Sequence, residues 1–116
     1  MRLVYIAGPY RAGTRWEEEM NCRAAELLGR EVVKLGAYPV IPHSNTRPYF
    51  SDEQSDAFWL EGTMLLMHRC DAVLLVENWH MSDGANAERS EAMRIGMPVF
   101  TLDGLADWLQ RDGFLR

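Results

Sequence analysis

One carboxylate, Glu88, interrupts an apolar helical stripe just past a strand end, which is where an enzyme keeps a nucleophile. The strand is Asp71-Ala72-Val73-Leu74-Leu75-Val76, too short for a core helix and apolar enough to read as a buried parallel strand. After it comes the run Trp79 to Glu88. Ser82 is placed to cap a helix, Asp83 suits the positive end of its dipole, and Gly84 leaves room beside its first turn. Ala85, Glu88, Ala92 and Ile95 then follow helical spacing and form the face expected against the sheet. Spacing by itself leaves two roles for Glu88: a helix carboxylate paired with a nearby arginine, or a nucleophile.

Other residues could serve the same chemistry. Tyr5, in the first strand, could hydrogen-bond a buried carboxylate and hold its orientation, or be an ordinary strand aromatic. Arg11 could pair with a phosphate beside Ser82 and the first amides of its helix, or be a solvated loop arginine. Gly8 to Gly13 lacks the spacings of a dinucleotide fingerprint or a P-loop. His43-Ser44-Asn45-Thr46 follows a strand directly, so His43 and Asn45 could read a base or sugar, although a self-capping turn uses the same residue types. The three histidines and two cysteines show no metal-ligand spacing, and no metal or cofactor is expected. Trp59 and Trp79 could stack on a base or be buried, and Met64, Leu65 and Met67 read as core.

The elements that must position these residues alternate. Strands are expected at Leu3 to Ala7, Tyr38 to Ile41, Asp71 to Val76 and Val99 to Leu102. Helices are expected at about Trp16 to Leu35, Ser55 to Arg69, the Glu88 segment, and Leu105 to Gln110. On the first helix, Met20, Ala24, Leu27, Leu28, Val32 and Leu35 supply the apolar face, and Gly36 ends it. His43 to Ser55, with Pro48, reads as a surface loop long enough to bind something. The order βαβαβαβα predicts an α/β fold: one flavodoxin-like, Rossmann-like three-layer domain over residues 1–116 with a mostly parallel sheet. Ligands then gather at the carboxyl ends of the strands, where Gly8 to Thr14, Pro42 to Arg47 and Glu77 to Gly84 should converge.

Composition narrows the partners. A net charge of −5 and a pI near 5.1 argue against duplex nucleic acid or an anionic membrane as the main partner, leaving small metabolites. No apolar run nears the roughly 20 residues that span a bilayer. Without a leader-like start or a CxxC pair, the cytoplasm, with reduced Cys22 and Cys70, is the expected compartment.

Tyr5-Ile6-Ala7-Gly8-Pro9-Tyr10-Arg11, Pro42-His43, Cys70 to Val73 and Trp79 to Glu88 together resemble the nucleoside 2-deoxyribosyltransferase superfamily over Leu3 to about Val99. The likeness is to a small deoxyribosyltransferase-like branch and, next, to the deoxynucleoside 5′-monophosphate N-glycosidases. It implies that Glu88, in the pattern Ser82-x-Gly84-x-x-x-Glu88, attacks the anomeric carbon and that Tyr5 orients it. Ser82 matches a serine that contacts a 5′-phosphate, and Arg11 falls where the glycosidases carry an arginine in their first loop, so the resemblance implies a nucleoside or nucleotide substrate and a homodimer or larger homo-oligomer. Relatives carry an aspartate eight residues before the one that opens the third strand; here Thr63 stands there, counted from Asp71. Three consequences are open: Glu61 or Asp56 substitutes, the substrate leaves without an acid, or the chain is a catalytically silent nucleotide-binding or regulatory module.

Overall fold

The computed structural model describes residues 1–47 and 54–112. Its elements run β1 (Leu3–Ala7), α1 (Arg15–Lys34), β2 (Tyr38–Val40), α2 (Pro42–Thr46), α3 (Asp56–His68), β3 (Ala72–Leu75), a 3₁₀ turn (Trp79–Met81), α4 (Asp83–Arg94), β4 (Val99–Phe100) and α5 (Leu102–Asp112). The four strands pair in parallel in the order β2-β1-β3-β4. The expected α/β class with helices on both faces of a parallel sheet is the observed one.

Alternation along the central strands separates the two faces. Val4 and Ile6 of β1, with Leu74 and Val76, pack on one side with Ala25, Val32, Leu105 and Leu109 of α1 and α5. Tyr5 and Ala7, with Val73, point to the other side, where Met67, Cys70, Ala85 and Ala92 from the α3 and α4 layer meet them. Tyr5 is therefore an inward-facing core position of a central strand. Its hydroxyl has to find a partner inside the protein.

α1 is capped by the Thr14 side chain, which accepts from the Glu17 amide, and it closes at Gly36, whose φ of +86° suits glycine. Its buried face is Cys22, Ala25, Gly29 and Val32, shifted from the expected stripe, so that Leu27 is 61% exposed. Small residues line that face because the helix lies close on the sheet: a Cβ at Gly29 would come within 2.7 Å of Ile41. Leu65, expected in the core, is 61% exposed, since Met67 fills the inward position of α3. Ile95, expected to continue the Glu88 stripe, is 40% exposed because it caps α4 and the chain turns away at Gly96, φ +77°. The expected loop from His43 begins instead as the short helix α2, started by Pro42 with its preset φ at the first helical position. The remainder of that loop around Pro48 lies outside the described residues.

Between β1 and β3 the chain leaves the sheet in opposite directions, β1 towards β2 and β3 towards β4. Such a switch point leaves a crevice at the carboxyl ends of the two strands. Gly8 and Val76 meet there: the Val76 amide donates to the Ala7 carbonyl at 2.9 Å, and a Cβ on Gly8 would fall 2.5 Å from Val76 Cγ2. Only glycine lets the strands stay paired up to the crevice. Gly8→Ala is expected to destabilise the fold by about 1 to 3 kcal/mol through overpacking, and by much less in a Val76→Ala background. Urea unfolding of the two single variants and the double variant checks this; strictly additive losses would contradict the clash.

Candidate active site

Glu88 lies on the inner face of α4, 6% exposed, with Ala85 and Ala92 on either side. The Tyr5 hydroxyl donates to Glu88 Oε2, joining the middle of β1 to the middle of α4. Burial and the neighbouring carboxylate raise the Tyr5 pKa well above 10.0, so the phenol keeps its proton and remains a donor. Thr63 of α3 sits against the same pair. Its hydroxyl donates to the Leu60 carbonyl at 3.1 Å and lies close enough to the Glu88 carboxylate to lower its pKa.

Two opposed effects set the charge of Glu88. Burial raises its pKa, and hydrogen bonds from Tyr5 and Thr63 lower it; burial wins, and the carboxyl titrates at about 7. The tyrosine's hydrogen bond opposes the effect of burial. It does not restore an ordinary carboxylate, so near neutrality Glu88 is a mixture of acid and anion.

Ser82 takes the predicted cap: its Oγ accepts from the Ala85 amide at 3.1 Å. Asn86 reinforces the bend, donating to the carbonyls of Ser82 at 2.8 Å and His80 at 3.0 Å. Gly84 has no heavy atom nearer than 3.8 Å to an added Cβ, so its side is open. His43 is buried. Its Nε2 donates to the Pro9 carbonyl at 2.8 Å, tying α2 to the loop after β1, and burial lowers its pKa, so the ring is neutral. Arg11 reaches across to Asp56 at the start of α3, Nη2 to Oδ1 2.6 Å, an exposed ion pair.

These residues line one cavity of about 700 Å³, within the range of small-molecule sites. Gly8, Arg11, His43, Ser82, Gly84 and Glu88 all border it, so the three expected loops do converge. Asn45 does not. It is exposed on α2, while the next residue, Thr46, faces the cavity, because a helical turn rather than an extended loop sets which side chains point inward. Tyr5 reaches the site through Glu88 rather than from the cavity wall. α3 supplies Asp56, Trp59, Leu60 and Thr63; Trp59 was a candidate for stacking, and Asp56 and Thr63 entered through the resemblance, but their common face on one helix was not foreseen. Their spacing of three, one and three is one helix face, a signal that periodicity alone could have shown. Glu61 points elsewhere: it borders the outer groove between α3 and α4 with His68 and Glu91, so it cannot stand in for Thr63.

Burial pushes the Cys70 thiol up to about 11, which leaves it inert; Cys22 is also free and buried. Among the described residues no three His, Cys, Asp or Glu side chains gather in a metal-holding group, and no helix is long and apolar enough to cross a membrane.

Residues 2–102 match the family described as "Domain of unknown function (DUF7768)". The chain belongs to that family. No curated protein matches it. Among solved structures it is similar to a 2-deoxyribosyltransferase from the psychrotolerant bacterium Bacillus psychrosaccharolyticus, with 17% identity and a TM-score of 0.65, over 85% of this chain and 70% of that one. At that identity the likeness is one of fold: this member of the family has a nucleoside 2-deoxyribosyltransferase-like fold.

The raised Glu88 pKa has a consequence for stability. An acid that titrates at 4.5 in the unfolded chain and at about 7 when folded binds more protons in the folded state between those values. Stability therefore falls as pH rises through that window, by on the order of 3 kcal/mol. Glu88→Gln removes this titration. Relative to wild type the variant should gain stability from pH 5 to pH 8, seen as a crossing or narrowing of the two melting-temperature curves. A constant difference across the range would contradict the buried-acid assignment.

Proposed function

We propose that this chain breaks, or transfers across, the N-glycosidic bond of a nucleoside or nucleoside 5′-monophosphate, with Glu88 as the nucleophile. One observation carries the reading: a buried carboxylate, aimed by a tyrosine hydroxyl, in the wall of a nucleoside-sized cavity at the switch point of the sheet. Cleavage of such a bond passes through an oxocarbenium-like state. A carboxylate beside the anomeric carbon stabilises that charge and can trap it as a glycosyl ester. Tyr5 holds one carboxylate oxygen and leaves the other for C1′ of the sugar. Water then releases the sugar, or a second base accepts it.

Ser82, Gly84 and the first amides of α4 form the end of the cavity suited to a sugar hydroxyl or a 5′-phosphate. Arg11 also borders it, but a phosphate would have to draw the guanidinium from Asp56. The 2-deoxyribosyltransferase of similar fold fits a substrate of this class. The same reading includes a cytoplasmic protein that assembles as a homodimer or larger homo-oligomer. Light scattering at micromolar concentration is expected to exceed 13.3 kDa, and a monomer mass would remove that part.

The test is chromatographic release of free base from a panel of nucleosides and 5′-monophosphates. Glu88→Ala should lower release by more than about 10³-fold, the scale seen when a covalent nucleophile is removed. Mass spectrometry of a quenched reaction should find the sugar ester on the peptide containing Glu88. Binding of nucleotides with no Glu88-dependent release would instead make the chain a silent binding module.

A further inference from the structure

Resting on that function, we infer that the substrate's base leaves as a neutral molecule from a cationic N-glycoside, a pyridinium or an N-alkylated purine, rather than from an ordinary neutral nucleoside. The ground is the arrangement around Glu88. A neutral base departs as an anion unless a proton reaches it, and the side chain beside the nucleophile on α3 is the Thr63 hydroxyl. That hydroxyl already donates its one proton to the Leu60 carbonyl at 3.1 Å, and a hydroxyl is a poor acid. The Tyr5 proton is committed to Glu88. His43 uses its Nε2 proton on the Pro9 carbonyl, and burial keeps the ring neutral. Asp56 is ion-paired with Arg11 at 2.6 Å. Thr63, Tyr5, His43 and Asp56 are thus each held by another group of the protein, and none of them stands beside Glu88 as a free carboxylic acid.

The charge of the cavity points the same way. Its described lining holds three carboxylates, Glu88, Asp56 and Asp83, against one guanidinium, Arg11, so a cationic ring is attracted and a departing anion is repelled. Trp59 adds an aromatic wall, which favours a cation within reach of its face. In the step itself the C1′–N⁺ bond breaks and its electron pair returns to the ring nitrogen, cancelling the positive charge. A Glu88 oxygen forms the bond to C1′. Water then hydrolyses the ester, giving free sugar, the Glu88 carboxylate and one proton to solvent.

Nicotinamide riboside and its reduced form make a matched pair: nearly the same size, with a pyridinium in one and a neutral dihydropyridine in the other. Inosine, 2′-deoxyinosine and their 5′-monophosphates complete the panel, with wild type and Glu88→Ala assayed at pH 8. The expected result is a kcat/KM for nicotinamide riboside or its 5′-monophosphate at least about 100-fold above that for the reduced form and the inosine substrates, the lower end of what a general acid contributes. Glu88-dependent cleavage of neutral and cationic substrates within about tenfold of each other would overturn the inference while leaving the N-glycosidase reading intact. Absence of Glu88-dependent cleavage on every substrate would overturn both. The pH profile is the second readout: with the pyridinium substrate, kcat/KM should rise through about pH 7 as Glu88 ionises and stay level to pH 9. A falling limb would reveal a protonated group at work and overturn the inference.

Discussion

The hydrogen bond from Tyr5 to Glu88 joins the centre of the sheet to the centre of a helix inside a layer that is otherwise apolar, and much of the fold can be read as what that bond requires. A carboxylate 6% exposed is costly in its charged form, and a tyrosine hydroxyl without a partner is costly in any form. Each residue answers the other's need. The bond does not abolish the cost of burial, which still pushes the Glu88 pKa up to about 7, but it limits the shift and fixes the carboxylate's direction. What results is a carboxyl with little hydration, held in one direction by its partner.

Holding that bond at the mouth of the sheet is a matter of backbone geometry. Parallel pairing of Tyr5 with Val73 and Ala7 with Leu75 sets the height of the hydroxyl. The Gly8 and Val76 contact keeps the two strands together to their ends. The 3₁₀ turn over Trp79–Met81 then delivers Ser82 to the start of α4, and the cap at Ser82, with Ala85 and Ala92 packed on the sheet, sets the rotation that turns Glu88 inward. His43 closes the remaining side by fastening α2 to the loop after β1. These constraints come from separate stretches of sequence, yet all act on the position of one carboxylate.

Much of this was legible from residue types and spacing because each signal was local. Alternation, caps and glycine stops located β1, α1, β3 and α4, and the single charged residue in the stripe of α4 identified Glu88. What failed was governed by tertiary context. The inward face of α1 was misplaced because close approach to the sheet selected Cys22, Ala25 and Gly29 over the larger leucines. Asn45 was placed in the site on the assumption of an extended loop, whereas Pro42 starts a helical turn that sends Thr46 inward instead. Asp56 as the partner of Arg11 lies 45 residues away in sequence, and no local pattern carries such a pairing.

The position of Thr63 joins these levels. A helix face that presents Asp56, Trp59, Leu60 and Thr63 to the cavity shared with Glu88 brings aromatic and hydroxyl groups to it and pairs its one carboxylate with Arg11. A carboxylic acid at Thr63 would sit beside Glu88, and two carboxyls at that distance share a proton, because both cannot ionise cheaply in a buried site. Such a pair gains a proton donor and gives up part of the nucleophile's charge. A hydroxyl there, beside the Glu88 carboxyl, lowers its pKa and adds no second charge. Thr63 thus favours the Glu88 anion without supplying a second acid, the arrangement on which the proposed departure of an unprotonated base rests.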